Sequence, residues 1–381
     1  MSHSPSLRLP AIDGMRGLAV LAVLVFHAES LSAGPLRAPG GFLGVSVFFT
    51  ISGFVITRLV LTEAEGTGTV DLARFAGRRI ARLAPAALTT ALVVIAVSRT
   101  ALATWSVPSG FRSTDALAAL GNLVNWHLSI LGTAAGFRLV HPLTHFWSLA
   151  VEAQLYLLLA GAVWLCRGHA LRRRLALLAG WAWLGSVAMA LVVHGSVRRE
   201  EFGTDIRLAE FAAGVLLATL LPRVRPFLER HGVLADVAGA AASALFVALV
   251  LFVSRTEFWL ANGGYALLGL VWAVWICSAL AADRTRAALT WKPLVHLGLI
   301  SYSLYLVHWP IVLMLTDARL HTTGWLSVLI RIAVSLAAAE GLHRVVENPA
   351  RKRFATLSTP RVVGLWLAGL AVSSAAAMAL L

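Results

Sequence analysis

Long apolar stretches separated by short polar segments recur along the whole 381-residue chain. A helix needs about 20 mostly apolar residues to cross a bilayer. Eleven stretches have about this length, near residues 11–30, 41–61, 85–104, 145–166, 173–194, 205–222, 234–253, 258–282, 293–316, 324–346 and 361–381. A twelfth stretch, 116–131, is apolar but short, holds Asn122, Asn125 and His127, and is predicted to be re-entrant or interfacial. The pattern predicts an all-α, polytopic transmembrane helix bundle with ten to eleven spans.

The predicted spans divide the chain into a main part and a short C-terminal addition. Residues 1–356 are predicted to form one membrane domain that contains the first ten spans. Residues 357–381 are predicted to be an additional hydrophobic segment and an eleventh span.

Composition agrees with a membrane protein and excludes several other classes. Hydrophobic residues make up 59% of the chain, charged residues 13%, and the mean hydropathy is +0.80. A soluble domain has about 45–50% apolar and about 25% charged residues, so a soluble enzyme is excluded. The two cysteines, Cys166 and Cys277, both lie in apolar stretches, which excludes a disulfide scaffold and a cysteine-rich metal site.

The basic residues alternate with the predicted spans. With the N-terminus in the cytoplasm, 22 of the 32 Lys and Arg residues fall on the cytoplasmic side and ten on the outside. Lys and Arg accumulate in the cytoplasmic loops of membrane proteins. The alternation predicts a multi-pass protein of the cell membrane, embedded in the lipid bilayer, with a cytoplasmic N-terminus. It also explains the net charge of +14 without a nucleic-acid partner.

The first span carries two ionisable residues, and charged groups at membrane depth are costly and usually functional. Arg16 and His27 are eleven residues apart, which places them about 16 Å apart near one face of a helix. A neutral imidazole can remove a proton from a hydroxyl near neutral pH, so His27 is a candidate general base. In the alternative interpretation, Arg16 reaches the membrane interface and His27 is hydrogen-bonded to backbone.

Two further spans contain polar candidates. The fourth begins with Trp147 and Ser148, which are candidate substrate or donor contacts. It also carries Glu152, a carboxylate that must be paired or protonated at this depth. Glu152 could orient a histidine or form a structural ion pair with an intramembrane arginine. The ninth contains Tyr305 and His308, which are candidate substrate contacts. His308 is alternatively a hydrogen-bonded core histidine.

Three arginines precede the third predicted span. Arg78, Arg79 and Arg82 lie in the segment FAGRRIARLAPA, which is predicted to be a basic turn ending at Pro85. Arg79 and Arg82 are three residues apart and would share a helix face. Guanidinium groups bind phosphates through paired hydrogen bonds, so these arginines are candidates for a phosphate-bearing donor. Attraction to anionic lipid headgroups is the alternative.

Taken in order, these motifs resemble the acyltransferase-3 family of integral-membrane acyltransferases. The resemblance rests on Arg16–His27, GGFLGVSVFFTISGF, RRIARLAPA, WSLAVEAQLY, DIRLAEFAAG, SYSLYLVHWP and VENPARK, which run from about Leu9 to Arg353. Members of this family transfer acetyl or longer acyl groups, usually from acyl-CoA, to hydroxyls of sugars, envelope polymers or glycosylated natural products.

The resemblance implies a role for each matching residue. His27 matches the first-helix histidine that the family is held to use in catalysis, and Arg16 matches its basic partner. Arg79 and Arg82 match the paired-arginine motif linked to donor binding. Glu152 matches the carboxylate of the family's Trp-Ser-Leu motif.

The chain also departs from the family pattern. Ser46 stands where the family usually has an aspartate, and Ala153 stands where it often has a second acidic residue. Many members continue into an esterase-like domain outside the membrane. Here only a final hydrophobic segment follows, which leads us to expect a stand-alone form.

The mechanism implied by the resemblance uses acyl-CoA, expected to be acetyl-CoA, as a donor substrate. Its phosphates would dock on Arg78, Arg79 and Arg82, and His27 would deprotonate the acceptor hydroxyl while Glu152 orients His27. An acyl-histidine intermediate is a second possibility. The acceptor would be a glycan or a glycosylated small molecule. No permanently bound cofactor and no metal are expected, since no cluster has zinc-ligand spacing.

Two other functions remain open at this stage. A transporter or flippase of glycans or lipids would need charged pairs along a pore and inverted repeats. A different family of membrane O-acyltransferases would need an embedded His–Asn pair, for which Asn125 and His127 are the candidates.

Overall fold

The computed structural model describes residues 9–31, 38–100, 111–134, 141–193 and 197–381, and its regular structure is entirely helical there. The α-helices of these residues are α1 Pro10–Ser30, α2 Gly44–Thr67, α3 Leu72–Val97, α4 Ser113–Leu120, α5 Val124–Ala134, α6 Phe146–Cys166, α7 Leu171–Val192, α8 Val197–Phe202, α9 Thr204–Arg230, α10 Gly232–Phe252, α11 Tyr265–Ala281, α12 Asp283–Leu289, α13 Lys292–Met314, α14 Asp317–Leu320, α15 Trp325–Leu342, α16 Asn348–Phe354 and α17 Thr359–Leu380. A 3₁₀ turn, Gly41–Leu43, precedes α2, a kinked turn, Leu260–Gly264, precedes α11, and a π-helical turn, His343–Glu347, precedes α16.

Eleven helical segments of the described residues are long and apolar enough to cross a membrane. They are built on α1, α2, α3, α6, α7, α9, α10, α11, α13, α15 with α16, and α17. The predicted all-α, polytopic bundle is confirmed, and the chain is a multi-pass membrane protein. The last span, α17, packs along α3. The boundary predicted at residue 356 stays a prediction.

The third span begins earlier than the sequence suggested. The prediction placed its start at Pro85, whereas α3 begins at Leu72 and continues through the proline. The Asp71 carboxylate caps the helix by accepting a hydrogen bond from Arg74 N at 2.8 Å. A capping aspartate of this kind satisfies a backbone donor that the first helical turn leaves free. The basic segment is therefore helix rather than a turn before the span.

Pro85 lies inside α3, and a side chain of a neighbouring helix contacts the α3 backbone close to it. Pro lacks the N–H of a regular helix residue, and adjacent side chains often bind backbone groups at such sites in membranes. Tyr302 Oη donates a hydrogen bond to Leu83 O at 2.7 Å. Because α3 begins at Leu72, Arg79 and Arg82 lie one turn apart within a continuous helix.

The short stretch near residues 116–131 forms two helices, α4 and α5, neither long enough to span a membrane. They meet at a turn where Asn122 has a left-handed backbone, with φ of 54°. Asparagine is among the residues that adopt this conformation most readily. Gln154 Nε2 on α6 donates to Asn122 O at 2.8 Å and to Asn125 Oδ1 at 3.0 Å. The prediction of a non-spanning segment is confirmed.

Helix α1 lies between α2 and α13, and small residues allow the close approach. A Cβ atom added to Gly298 of α13 would lie 1.8 Å from Asp13 O of α1, which shows that the two backbones touch. Gly214 likewise allows close backbone contact between α9 and α2, because an added Cβ would lie 2.1 Å from Thr50 O. Small residues of this kind drive helix association in membranes. They bring the polar residues of α1 into the bundle interior.

A fully buried arginine holds the end of α1 that carries His27. Arg331 Nε donates to Leu315 O at 2.7 Å, Nη1 donates to Ala28 O at 2.8 Å, and Nη2 donates to Asp317 Oδ1 at 2.8 Å. The Arg331 guanidinium therefore donates hydrogen bonds to residues at the ends of three helices, α13, α1 and α14. Because Ala28 directly follows His27, this contact also fixes the candidate base.

Replacing Arg331 with methionine should destabilise the protein strongly. The change leaves two carbonyls and the Asp317 carboxylate without this donor, and breaking a buried ion pair costs about 3–5 kcal/mol. Thermal unfolding in detergent checks the expectation. Arg74→Met is the matched control, since Arg74 is exposed and its ion pair with Asp71 is 3.6 Å long. Such surface pairs contribute about 0–1 kcal/mol. Equal shifts in the two variants would contradict the structural role of Arg331.

Candidate functional site

A cavity of about 400 Å³ lies among α1, α2, α3, α6 and α13. Its size falls in the range of small-molecule pockets, about 300–1,000 Å³. The wall carries five arginines and three carboxylates, so basic groups predominate. These residues are Arg16, Arg58, Arg79, Arg82, Arg351, Asp13, Glu152 and Glu347. The excess of positive charge suits an anionic ligand.

Arg79 and Arg82 line this cavity together, as their spacing predicted. Arg79 Nε is buried and has no hydrogen-bond partner among the described residues. A buried donor without a partner is costly, so an anion in the cavity would stabilise this guanidinium. Arg78 differs from its neighbours. It is half-exposed, donates to Glu63 Oε2 at 2.8 Å, and does not line the cavity.

Arg16 reaches the same cavity from α1. Its Nη2 donates to Ser301 Oγ of α13 at 2.9 Å, and its guanidinium lies 5.9 Å from the centre of the Phe48 ring. These contacts fix the side chain between three helices. Arg16 therefore belongs to the cavity wall.

Glu152 also lines the cavity, but it does not contact His27. Its carboxylate accepts hydrogen bonds from Ser52 Oγ at 2.5 Å and from Tyr156 Oη, and the described residues provide no others. The expected Glu152–His27 contact is wrong. The physical reason is depth, because Glu152 lies at the level of Arg16 and His27 is about 16 Å further along α1.

His27 lies instead in a cluster of aromatic and imidazole rings. Its Nδ1 is 2.9 Å from Val23 O, one turn earlier in α1, and 3.3 Å from His308 Nε2 of α13. The edge of the Trp309 indole packs on it, with ring centres 4.9 Å apart. The sequence singled out both histidines, and the fold brings them together.

A third imidazole, His145, joins this cluster just before α6 begins. His145 Nε2 donates to Leu306 O at 3.0 Å, and its ring centre is 5.5 Å from that of His308. No group of three or more His, Cys, Asp or Glu in the described part of the chain could hold a metal ion. Sequence reasoning missed His145, although it directly precedes the Phe146–Trp147 start of a functional motif.

Tyr305 and Ser148 connect the cavity to the imidazole cluster. Both side chains line the cavity, and Ser148 Oγ donates to Tyr305 Oη at 2.7 Å. Tyr305 Oη in turn donates to His145 O at 2.9 Å, and Tyr305 O accepts from His308 Nδ1 at 2.7 Å. Tyr305 therefore contacts both the basic cavity and the histidine cluster.

A match to a family model shows which protein family the chain belongs to. A family model described as an acyltransferase domain of the acyltransferase-3 type matches residues 9–341. The chain belongs to the acyltransferase-3 family. The resemblance drawn from the motifs is thereby confirmed. No solved structure matches the chain.

Curated relatives in this family carry acetyltransferase names. The chain is 32% identical to O-acetyltransferase OatA of Staphylococcus aureus, over 91% of this chain and 57% of that protein. It is 31% identical to peptidoglycan O-acetyltransferase OatA of Listeria monocytogenes, over 90% of this chain and 56% of that protein. The chain therefore spans a little over half the length of these relatives.

Two further positions of the family motifs lie outside the cavity. Trp147 was predicted to contact substrate, but its ring packs on Phe49 and Phe202, with centres 6.2 and 5.1 Å away. Its side chain packs against these aromatic rings and does not line the cavity. Ser46, which stands in place of the usual family aspartate, is buried and accepts from Trp272 Nε1 at 2.8 Å.

The alternative His–Asn pair is not formed. Asn125 Nδ2 donates to Phe202 O at 3.1 Å and to Thr204 Oγ1 at 3.0 Å. His127 Nε2 lies 2.9 Å from Asp115 Oδ1. The two side chains have different partners in the described structure, so they do not build the pair that the other membrane O-acyltransferase family would need.

Proposed function

We propose that the chain is a membrane O-acyltransferase that moves an acetyl group from acetyl-CoA to a hydroxyl of a cell-envelope glycan. The observation that carries the proposal is the Ser148–Tyr305 contact, which lines an arginine-rich cavity and, through the Tyr305 carbonyl, holds His308 beside the partly buried His27. Family membership supports acyl transfer. The names of the relatives, O-acetyltransferase and peptidoglycan O-acetyltransferase, support the acetyl group and a glycan acceptor.

The donor would enter the cavity with its phosphates toward Arg79 and Arg82. These guanidiniums have no ion-pair partner among the described residues, and a guanidinium can bind a phosphate with two parallel hydrogen bonds. The pantetheine arm would then lead the thioester past Arg16 toward Tyr305. Acetyl-CoA acts as a substrate in this scheme and leaves as CoA.

The chemical step would use His27 as the general base. Its Nε2 takes the proton of the acceptor hydroxyl, the oxygen attacks the thioester carbonyl carbon, and the C–S bond breaks. The proton then passes from the imidazolium to the CoA sulfur. An acyl-histidine intermediate is the other route compatible with the same residues. Glu152 accepts hydrogen bonds from Ser52 and Tyr156. In this scheme its carboxylate would offset part of the positive charge of the arginines that line the donor cavity.

The proposed orientation places the N-terminus and the donor cavity on the cytoplasmic side, and cysteine labelling tests it. Ala318 and Arg173 are exposed and lie on opposite predicted sides, while the native Cys166 and Cys277 are buried. In intact cells a membrane-impermeant maleimide should label Ala318→Cys. Arg173→Cys should react only after permeabilisation. The opposite pattern would invert the orientation and put the donor cavity outside.

Mass spectrometry of envelope glycans and secreted metabolites tests the proposed reaction in cells. A deletion strain should lose ester-linked acetate from one glycan. The wild-type gene should restore the acetate, and a His27→Ala gene should not. Unchanged acetylation together with a glycan retained on one side of the membrane would contradict acyl transfer and favour a transporter.

A further inference from the structure

The surroundings of His308 fix which of its ring nitrogens carries hydrogen. His308 Nδ1 lies 2.7 Å from Tyr305 O and 3.2 Å from Leu304 O. Both carbonyl oxygens are acceptors, so Nδ1 must be the donor. A neutral imidazole has one N–H, and the other nitrogen is an acceptor. His308 Nε2 therefore presents a lone pair.

The same reasoning fixes the tautomer of His27. Its Nδ1 lies 2.9 Å from Val23 O and 3.3 Å from His308 Nε2, and both of these atoms are acceptors. His27 Nδ1 must carry the hydrogen, which the two acceptors share. The lone pair of His27 is then on Nε2, the atom that the base requires.

We infer that His308 is a positioning residue that holds His27 in its reactive tautomer and stabilises the imidazolium formed when His27 takes a proton. The inference rests on the proposed role of His27 as the base. In serine proteases a carboxylate holds the catalytic histidine in its reactive tautomer and stabilises the imidazolium. Here a neutral imidazole acceptor stands in that place, while Glu152 has other partners. His308 is buried and both of its nitrogens are engaged within the protein.

Two amide substitutions separate this role from simple packing. In His308→Gln the amide oxygen can occupy the place of Nε2 and still accept from His27. In His308→Asn the amide nitrogen can occupy the place of Nδ1 and still donate to Tyr305 O, but the acceptor for His27 is lost. A positioning role predicts that glutamine restores activity and asparagine does not. A structural role through the Tyr305 carbonyl predicts the reverse.

The experiment measures steady-state kinetics of the full chain in nanodiscs. The donor is acetyl-CoA labelled in its acetyl group, and the acceptor probe is a soluble fragment of peptidoglycan without O-acetyl groups. Losing one hydrogen bond to a charged group weakens an interaction by about ten- to a hundredfold. We expect His308→Asn to lower kcat by about that factor and to leave the KM for acetyl-CoA within about twofold. His308→Gln should recover most of kcat.

A double mutant keeps the test valid if the glutamine variant does not fold. When His27 is alanine, adding His308→Asn should change the residual rate by less than about twofold, because the two residues act as a unit. Higher activity in His308→Asn than in His308→Gln would overturn the inference, as would additive effects in the double mutant. Near wild-type activity of His27→Ala alone would overturn the proposed function and this inference together.

Discussion

Replacing His27 with alanine should lower kcat for acetyl transfer by at least about a hundredfold, since a positioned general base contributes about 10²–10⁴ to a rate. The imidazole packs against His308 and Trp309 at the end of α1, where the Arg331 contact to Ala28 remains. The fold should therefore persist. Transfer from labelled acetyl-CoA by purified protein in nanodiscs checks the expectation.

A second histidine provides the matched control for this variant. His296 is half-exposed on α13, and its Nε2 lies 3.0 Å from Glu340 Oε2. His296→Ala should retain activity close to that of the wild type. Comparable turnover by His27→Ala and His296→Ala would remove His27 from the chemistry.

Replacing Arg82 with alanine should raise the KM for acetyl-CoA by about ten- to a hundredfold. Each lost hydrogen bond between an arginine and a phosphate corresponds to about 1.5–3 kcal/mol. The KM for the acceptor should change little. Arg82→Lys should recover only part of the loss, because an ammonium keeps the charge but not the paired donors. Steady-state kinetics with acetyl-CoA as the varied substrate decide the outcome.

Arg78 is the matched control for the donor site. It belongs to the same basic segment but is half-exposed, pairs with Glu63 and lies outside the cavity. Arg78→Ala should therefore leave the KM for acetyl-CoA almost unchanged. If these arginines only anchored lipid headgroups, Arg78 and Arg82 variants would insert poorly and show wild-type kinetics in the protein that survives. Such a result would refute the donor site.

Much of the architecture could be predicted because it depends on local pattern. Each span is a run of apolar residues, and the eleven runs match the eleven long helices of the described chain. The relative position of Arg79 and Arg82 could also be predicted, since two residues three apart share a face of any helix. Arg79 and Arg82 line one cavity for that reason.

The predicted start of the third span was wrong because Pro85 was interpreted as the beginning of the helix, whereas α3 continues through it. Asp71 caps the helix earlier, and Tyr302 of α13 donates a hydrogen bond to Leu83 O near the proline. No local pattern around Pro85 contains the information that α13 lies beside it. The outward position of Arg78 was not predictable either, because it depends on the pairing of its side chain with Glu63 of α2.

The partner of His27 is the clearest case. Glu152 was predicted to orient His27. The structure instead places His308 against His27, and Glu152 against Ser52 and Tyr156. Residues 27 and 308 meet because Gly298 lets α13 approach α1 closely. The sequence showed that each residue was unusual at membrane depth, but pairing depends on how the helices pack.

The most direct test of the central claim is transfer of a labelled acetyl group by the purified chain. Protein in nanodiscs is mixed with acetyl-CoA that carries a ¹³C-labelled acetyl group and with soluble peptidoglycan fragments that lack O-acetyl groups. Mass spectrometry then follows the fragments while a thiol assay follows free CoA. The account predicts labelled acetyl esters and equal amounts of CoA with the wild type, and neither product with His27→Ala. Unmodified fragments and intact acetyl-CoA with well-folded wild-type protein would contradict it.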